Sequence, residues 1–114
     1  MIRYNKGDVI LVPFPFSDQT TTKKRPAVII SSDTYNNISQ DIVIRAITGQ
    51  TRSHIGIGEF LIEDWKGAGL LKSSAVKSAI STIDQRLVMK ILGRFSSKDL
   101  ITLEKALKEL FDLR

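Results

Sequence analysis

Apolar side chains fall in short runs along the chain, with turn-forming residues between them. Asp8-Val9-Ile10-Leu11-Val12-Pro13 is β-branched, follows Gly7 and stops at a proline, which predicts a strand. Arg25-Pro26-Ala27-Val28-Ile29-Ile30-Ser31 predicts a second, with its proline near the start, where a missing N–H does least harm. A third spans Asp41 to Thr48 with a nearly continuous apolar centre. His54 to Ile62 alternates and predicts a fourth, softened at its start by glycines. Ser74 to Ile83 and Met89 to Leu92 predict two more, joined through Asp84-Gln85-Arg86-Leu87.

Between these runs, Phe14 to Lys24 has no period and reads as a long loop, a kind that often carries function. Asp33 to Asn37 predicts a turn or short helix, Gly49 to Ser53 a polar loop, and Gly67 with Gly69 a turn. Only the tail has a helical period. Leu100, Leu103, Leu107 and Leu110, with Ala106 and Phe111, form a stripe at three-to-four-residue spacing. Ser96 can cap that helix, with Asp99 at its third position in a capping-box-like start. Short strands followed by one amphipathic helix predict a closed or nearly closed barrel. No repeat or linker divides residues 1–114, so a single domain is expected.

Composition narrows the chemistry more than the fold. The 114 residues suffice for one core, and 42% apolar with 25% charged is ordinary for a globular domain. No apolar run approaches the roughly 18–20 residues that cross a bilayer, so no membrane partner is expected. The opening residues meet a charge before any signal-type stretch, which makes a cytoplasmic protein the expectation. Cysteine is absent, which excludes disulfides, thiolate nucleophiles and thiolate metal sites. His54 is the sole histidine, and no acidic cluster suggests a magnesium site, so neither metal nor other cofactor is expected. Catalysis would have to come from Arg, Lys, Thr, Ser, Asp, Glu or Tyr.

The net charge of +5 is unevenly placed. From Ser97 onward acids and bases cancel, so the whole excess lies in residues 1–96. Lys23, Lys24, Arg25, Arg45 and Arg52 stand against only Asp33 and Asp41 between Lys23 and Arg52. Such an imbalance suits a polyanion, either a nucleic acid or an acidic protein segment.

Several motifs occur in an order that resembles the MazF/PemK toxins of type II toxin–antitoxin systems. They are Gly7-Asp8-Val9, Lys24-Arg25-Pro26-Ala27-Val28-Ile29-Ile30-Ser31, Tyr35-Asn36, Ile47-Thr48, Gly69-Leu70-Leu71-Lys72 before Ser74, Ile83-Asp84-Gln85-Arg86-Leu87, and Ile91-Leu92-Gly93. The resemblance covers nearly the whole chain. It implies a mostly β fold, a small SH3-like barrel of the CcdB/PemK type with a C-terminal α-helix, assembled as a homodimer. It also implies metal-independent cleavage of single-stranded RNA, with Arg25 and Thr48 as the catalytic pair. The partner so implied is a cognate antitoxin, expected to present a flexible acidic segment that folds on the basic groove. The chain departs from the family pattern in two places. The loop at Phe14-Pro15-Phe16-Ser17-Asp18-Gln19 lacks a common glycine and glutamate, and Gly49 stands where serine is common.

The chemistry of that pair is sound on its own terms. RNA carries its nucleophile, the 2′-hydroxyl, next to the scissile phosphate. An enzyme need only hold it in line, stabilise charge on phosphorus and help protons move. Arg25 offers a planar fork of donors for phosphate oxygens, and its permanent charge makes it a poor base. Thr48 would donate to a phosphate oxygen. Lys23, Lys24, Arg52 and Gln50 are candidate RNA-binding residues, with Phe14 available to stack on a base. Trp65, Phe16 and the helix stripe belong to the core or a packing surface, and His54 is read as an exposed side chain at the strand start. A second class of function is a non-enzymatic barrel that binds nucleic acid, DNA included, or inhibits DNA gyrase as CcdB-type toxins do.

Overall fold

The β-branched runs fold as six strands in a computed structural model that describes residues 2–14, 23–51 and 55–114. β1 is Asp8–Phe14, β2 Lys23–Ile29, β3 Asp41–Thr48, β4 Phe60–Leu61, β5 Ala75–Asp84 and β6 Lys90–Arg94. Helix α1 is Asp33–Ile38, and α2 is Ser97–Phe111. Every pairing is antiparallel, in the order β4-β5-β3-β2-β1-β6. Among the described residues β4 and β6 do not pair with each other. The sheet is a six-stranded antiparallel half-barrel that, with its C-terminal helix, matches the mostly β fold the resemblance implies.

Both faces of this sheet are covered, which is why the strand runs are apolar throughout instead of alternating cleanly. On one face Val9, Val28, Ile47 and Val76 pack with Phe60, Phe95 and Leu103. On the other, Ile10, Val12, Ala27, Ile29, Ile42, Ile44 and Ala46 form a second cluster. α2 lies over the first, its Leu100, Leu103, Ala106 and Leu107 turned inward. No helix among the described residues is long and apolar enough to cross a membrane.

The cap of α2 forms only half of the expected box. Ser96 Oγ accepts from the Asp99 amide at 3.1 Å. The buried Asp99 carboxylate instead accepts from the Glu63 and Asp64 amides, each at 2.9 Å. The helix start thus holds the turn that follows β4. A carboxylate taking two backbone N–H groups gives both of them a charge-assisted partner.

Two element boundaries differ from the sequence expectation. The fourth strand shrinks to Phe60–Leu61, because Gly56 to Glu59 turns back, the Glu59 amide bonding Gly56 O at 3.1 Å. Gly58 sits at φ +77° against α2, where a Cβ would lie 2.7 Å from Leu110 Cβ. β2 begins at Lys23, so Lys23 and Lys24 belong to a strand and not to the tip of a loop. Phe16 and His54 lie outside the described residues.

Gly69 closes the turn after Trp65 at φ +78°, with the Leu92 carbonyl of β6 where its side chain would stand. Gly69→Ala should lower stability by roughly 2 kcal/mol or more, since strain and a backbone clash combine. Urea unfolding should show a lower midpoint at an unchanged m-value. An unaltered midpoint would mean that the turn adapts freely.

Candidate functional site

β2 and β3 pair with Ala27 opposite Ala46, Val28 opposite Arg45 and Ile29 opposite Ile44. The same register carried two residues further sets Arg25 against Thr48. Directly opposed residues of an antiparallel pair share one face of the sheet. The two side chains indeed line one cleft of about 370 Å³, together with Gln50. Thr48 Oγ1 accepts from the Gln50 amide at 3.1 Å. A hydroxyl that accepts there keeps its own hydrogen for donation elsewhere.

The far wall of the cleft comes from a bulge. Ile47 pairs with Val76 and Arg45 with Ile80, so Lys77, Ser78 and Ala79 of β5 together oppose Ala46 alone. Bulges re-aim side chains beside functional sites, and here Lys77, Ser78 and Ala79 all line the cleft. Its lining among the described residues thus has two cations, Arg25 and Lys77, two hydroxyls and one amide, and no carboxylate. That is a surface of donors for an anion.

Arg45 corrects one part of the sequence reading. Counted there among the basic residues facing a polyanion, it is fully buried beneath the sheet. Its Nε donates to the Lys77 carbonyl at 3.0 Å and its Nη2 to the Gly58 carbonyl at 2.7 Å. The first bond satisfies a carbonyl that the bulge takes out of the ladder, and the second ties down the turn before β4. Burial lowers the Arg45 pKa, and the nearby Glu59 charge works in the opposite direction.

Glu59 completes this support. Its carboxylate accepts from the Gly56 amide (2.9 Å), the Ser78 amide (3.0 Å), Ser78 Oγ (3.1 Å) and Lys77 Nζ (3.1 Å). Burial alone would raise its pKa, but the Gly56 and Ser78 amides, the Lys77 ammonium and the Ser78 hydroxyl outweigh that and hold it at about 2. Nothing in the motifs pointed to Glu59, Lys77 or Ser78. The available signals were a charge inside the apolar run of β3 and the polar Lys77-Ser78 pair interrupting β5.

The remaining predicted site residues are dispersed. Lys23 and Lys24 are exposed on β2, and neither lines the cleft. By strand alternation Lys23 shares the face of Arg25, while Lys24 takes the opposite one. The Phe14 backbone pairs with Lys23 at the end of β1. Arg52 lies outside the described residues. Gly49 has the Lys72 side chain packed where a Cβ would stand, so a serine there would require Lys72 to move. Trp65 is half-buried against the helix-side cluster, with Lys66 Nζ 5.5 Å from its ring. A larger groove of about 650 Å³ between α1 and α2 holds none of the predicted residues; the Lys6–Glu104 ion pair (2.5 Å) sits at its side. The smaller cleft is the candidate site, because donors converge there and no carboxylate stands among its described lining residues.

The fold is a small β half-barrel with a terminal helix and a donor-lined cleft between β2, β3 and β5. Residues 5–111 match the family model described as PemK-like, MazF-like toxin of type II toxin–antitoxin system, and the chain belongs to that family. Solved structures support the fold. One is the Mycobacterium tuberculosis toxin MazF-mt6, 18% identical, with TM-score 0.76 over 94% of this chain and 98% of that one. Another is a MazE–MazF crystal structure from Deinococcus radiodurans, 17% identical, with TM-score 0.76 over 99% and 100%. A third is an endoribonuclease in complex with its cognate antitoxin from a mycobacterial species, 16% identical, with TM-score 0.76 over 100% and 98%. No match is found among curated proteins.

Two outcomes test the support beneath the cleft. Arg45→Met should cost roughly 2–4 kcal/mol, because two buried carbonyls lose their donor; chemical unfolding measures it, and a loss below about 0.5 kcal/mol, the range of an ordinary surface change, would contradict it. Glu59, held at about 2 when folded against an ordinary 4.5, contributes stability that is present above pH 4.5 and fades as pH falls toward 2. Glu59→Gln should therefore remove part of the acid-side slope in that window. Parallel pH–stability curves for parent and variant would refute the assignment.

Proposed function

We propose that this toxin is an endoribonuclease that cleaves single-stranded RNA without a metal, with Arg25 and Thr48 at the reacting phosphate. The observation that carries this is the shared cleft, where a guanidinium from β2 and a hydroxyl from β3 face the same space and no carboxylate stands among the described lining residues. In the reaction, the 2′-oxygen forms a bond to phosphorus and the P–O5′ bond breaks. The 2′-oxygen loses a proton and the 5′-oxygen gains one, leaving a 2′,3′-cyclic phosphate and a 5′-hydroxyl. Arg25 grips non-bridging oxygens as charge builds on phosphorus, a role suited to its fixed charge and planar donors. Thr48, its oxygen oriented by the Gln50 amide, donates to a phosphate oxygen. No group of three His, Cys, Asp or Glu side chains that could hold a metal occurs among the described residues.

Regulation by a cognate antitoxin follows from the same surface. An acidic, flexible segment would satisfy the cleft's donors and exclude RNA by occupying their place, folding as it binds. Solved relatives described with an antitoxin support this reading. A homodimer is part of it as well. On the opposite face of β2, Pro26, Leu11, Leu70 and Leu92 line an apolar groove of about 470 Å³, with Leu71 fully exposed beside them. A second copy would cover that surface.

Incubating the purified protein with single-stranded RNA in excess EDTA tests the central claim. The parent should cut, leaving cyclic phosphate ends, and Arg25→Ala and Thr48→Ala should each slow cleavage about 10²-fold or more. Variants that cut as fast as the parent would remove the assigned site. RNA left intact by a folded parent, with gyrase supercoiling inhibited, would favour the binding-module class.

A further inference from the structure

We infer that Lys77 is a second phosphate-binding group of the cleft, taking a backbone phosphate next to the one held by Arg25, with Glu59 as its positioning residue. The inference rests on the ribonuclease reading above and deepens it. Lys77 lines the cleft on the wall opposite Arg25 and Thr48, placed there by the bulge that sets three residues of β5 against Ala46. Its side chain is one-third exposed, so solvent and ligand reach it. Glu59, by contrast, is only 10% exposed and does not line the cleft.

That asymmetry decides what the Lys77–Glu59 pair does. The Glu59 charge is already satisfied by the Gly56 amide, the Ser78 amide and Ser78 Oγ, so it does not depend on Lys77 for solvation. Lys77 gives Glu59 one contact at 3.1 Å, and an ammonium has three donors. Two remain for the cleft side. A lysine on a flexible stem normally loses side-chain entropy when it binds a phosphate. Tethering from behind by a buried carboxylate removes part of that cost in advance. Arg45 reinforces the arrangement by bonding the Lys77 carbonyl, which fixes the backbone from which the side chain projects. A polyanionic strand crossing the cleft then meets one fixed cation on each wall.

The test uses binding, not cleavage. A short single-stranded 2′-O-methyl RNA has no free 2′-hydroxyl and cannot be cut, and its affinity can be followed by fluorescence anisotropy across a salt series. Each phosphate contact to a single strand contributes about 0.7 to the slope of log K against log salt. Lys77→Met should lower the magnitude of that slope by about 0.7. Lys77→Arg should keep it, and Lys105→Met on α2, outside the cleft, should leave it unchanged. Lys77→Gln replaces the methionine variant if circular dichroism shows the latter unfolded. A parent that binds and cuts RNA while Lys77→Met and Lys77→Gln retain its full slope overturns this inference alone. A folded parent that binds no RNA overturns it together with the ribonuclease reading.

Discussion

A buried guanidinium organises the cleft from below. Arg45 occupies a strand position whose neighbours are all apolar, and burying a charge there is costly unless its donors are used. Its bonds to Lys77 O and Gly58 O, and the field of Glu59 nearby, make it tolerable. In return β5 can bulge without leaving the Lys77 carbonyl stranded, and the turn at Gly58 can dock against α2. Lys77 and Ser78 are positioned as a consequence. The cleft is therefore a product of an interaction that does not face it.

Charge is sorted by depth around this feature. Glu59 and Arg45 lie inside, while Arg25 and Lys77 line the cleft. Asp8 and Asp99, the other buried carboxylates, are spent on structure. Asp8 pairs with Arg94 at 3.1 Å, and Asp99 holds the 63–69 turn through two amides. Among the described residues no carboxylate lines the cleft. A phosphate entering the cleft meets hydrogen-bond donors and no repelling carboxylate among the described lining residues.

The residues that carried the family resemblance do different physical work. Arg25-Pro26-Ala27-Val28-Ile29 combines one cleft-lining residue with a strand that serves both cores: Ala27 and Ile29 on one face, Val28 on the other. Gly69 and Gly93 are needed because two backbones meet where side chains would otherwise stand. Ser96 and Asp99 read as local helix capping, yet Asp99 spends its carboxylate on residues about 35 positions away in sequence. Local pattern identified which residues matter, but not whom they would meet.

Strand runs, the helix stripe and the cap at Ser96 were accessible from sequence, since periodicity and turn chemistry express backbone preference directly, whereas the pairing of Arg25 with Thr48 came only from the family resemblance. The separation of Lys23 from Lys24 by strand alternation required the observed start of β2. Loss of the fourth strand to a turn required α2 to press on Gly58. Burial of Arg45 and recruitment of Lys77, Ser78 and Glu59 depended on a bulge, which is a mismatch between two strands and is written in neither strand alone. Sequence thus determined the elements and the chemistry available to them. Tertiary structure decided which charges face solvent and which are enclosed, because desolvation depends on every neighbouring element at once.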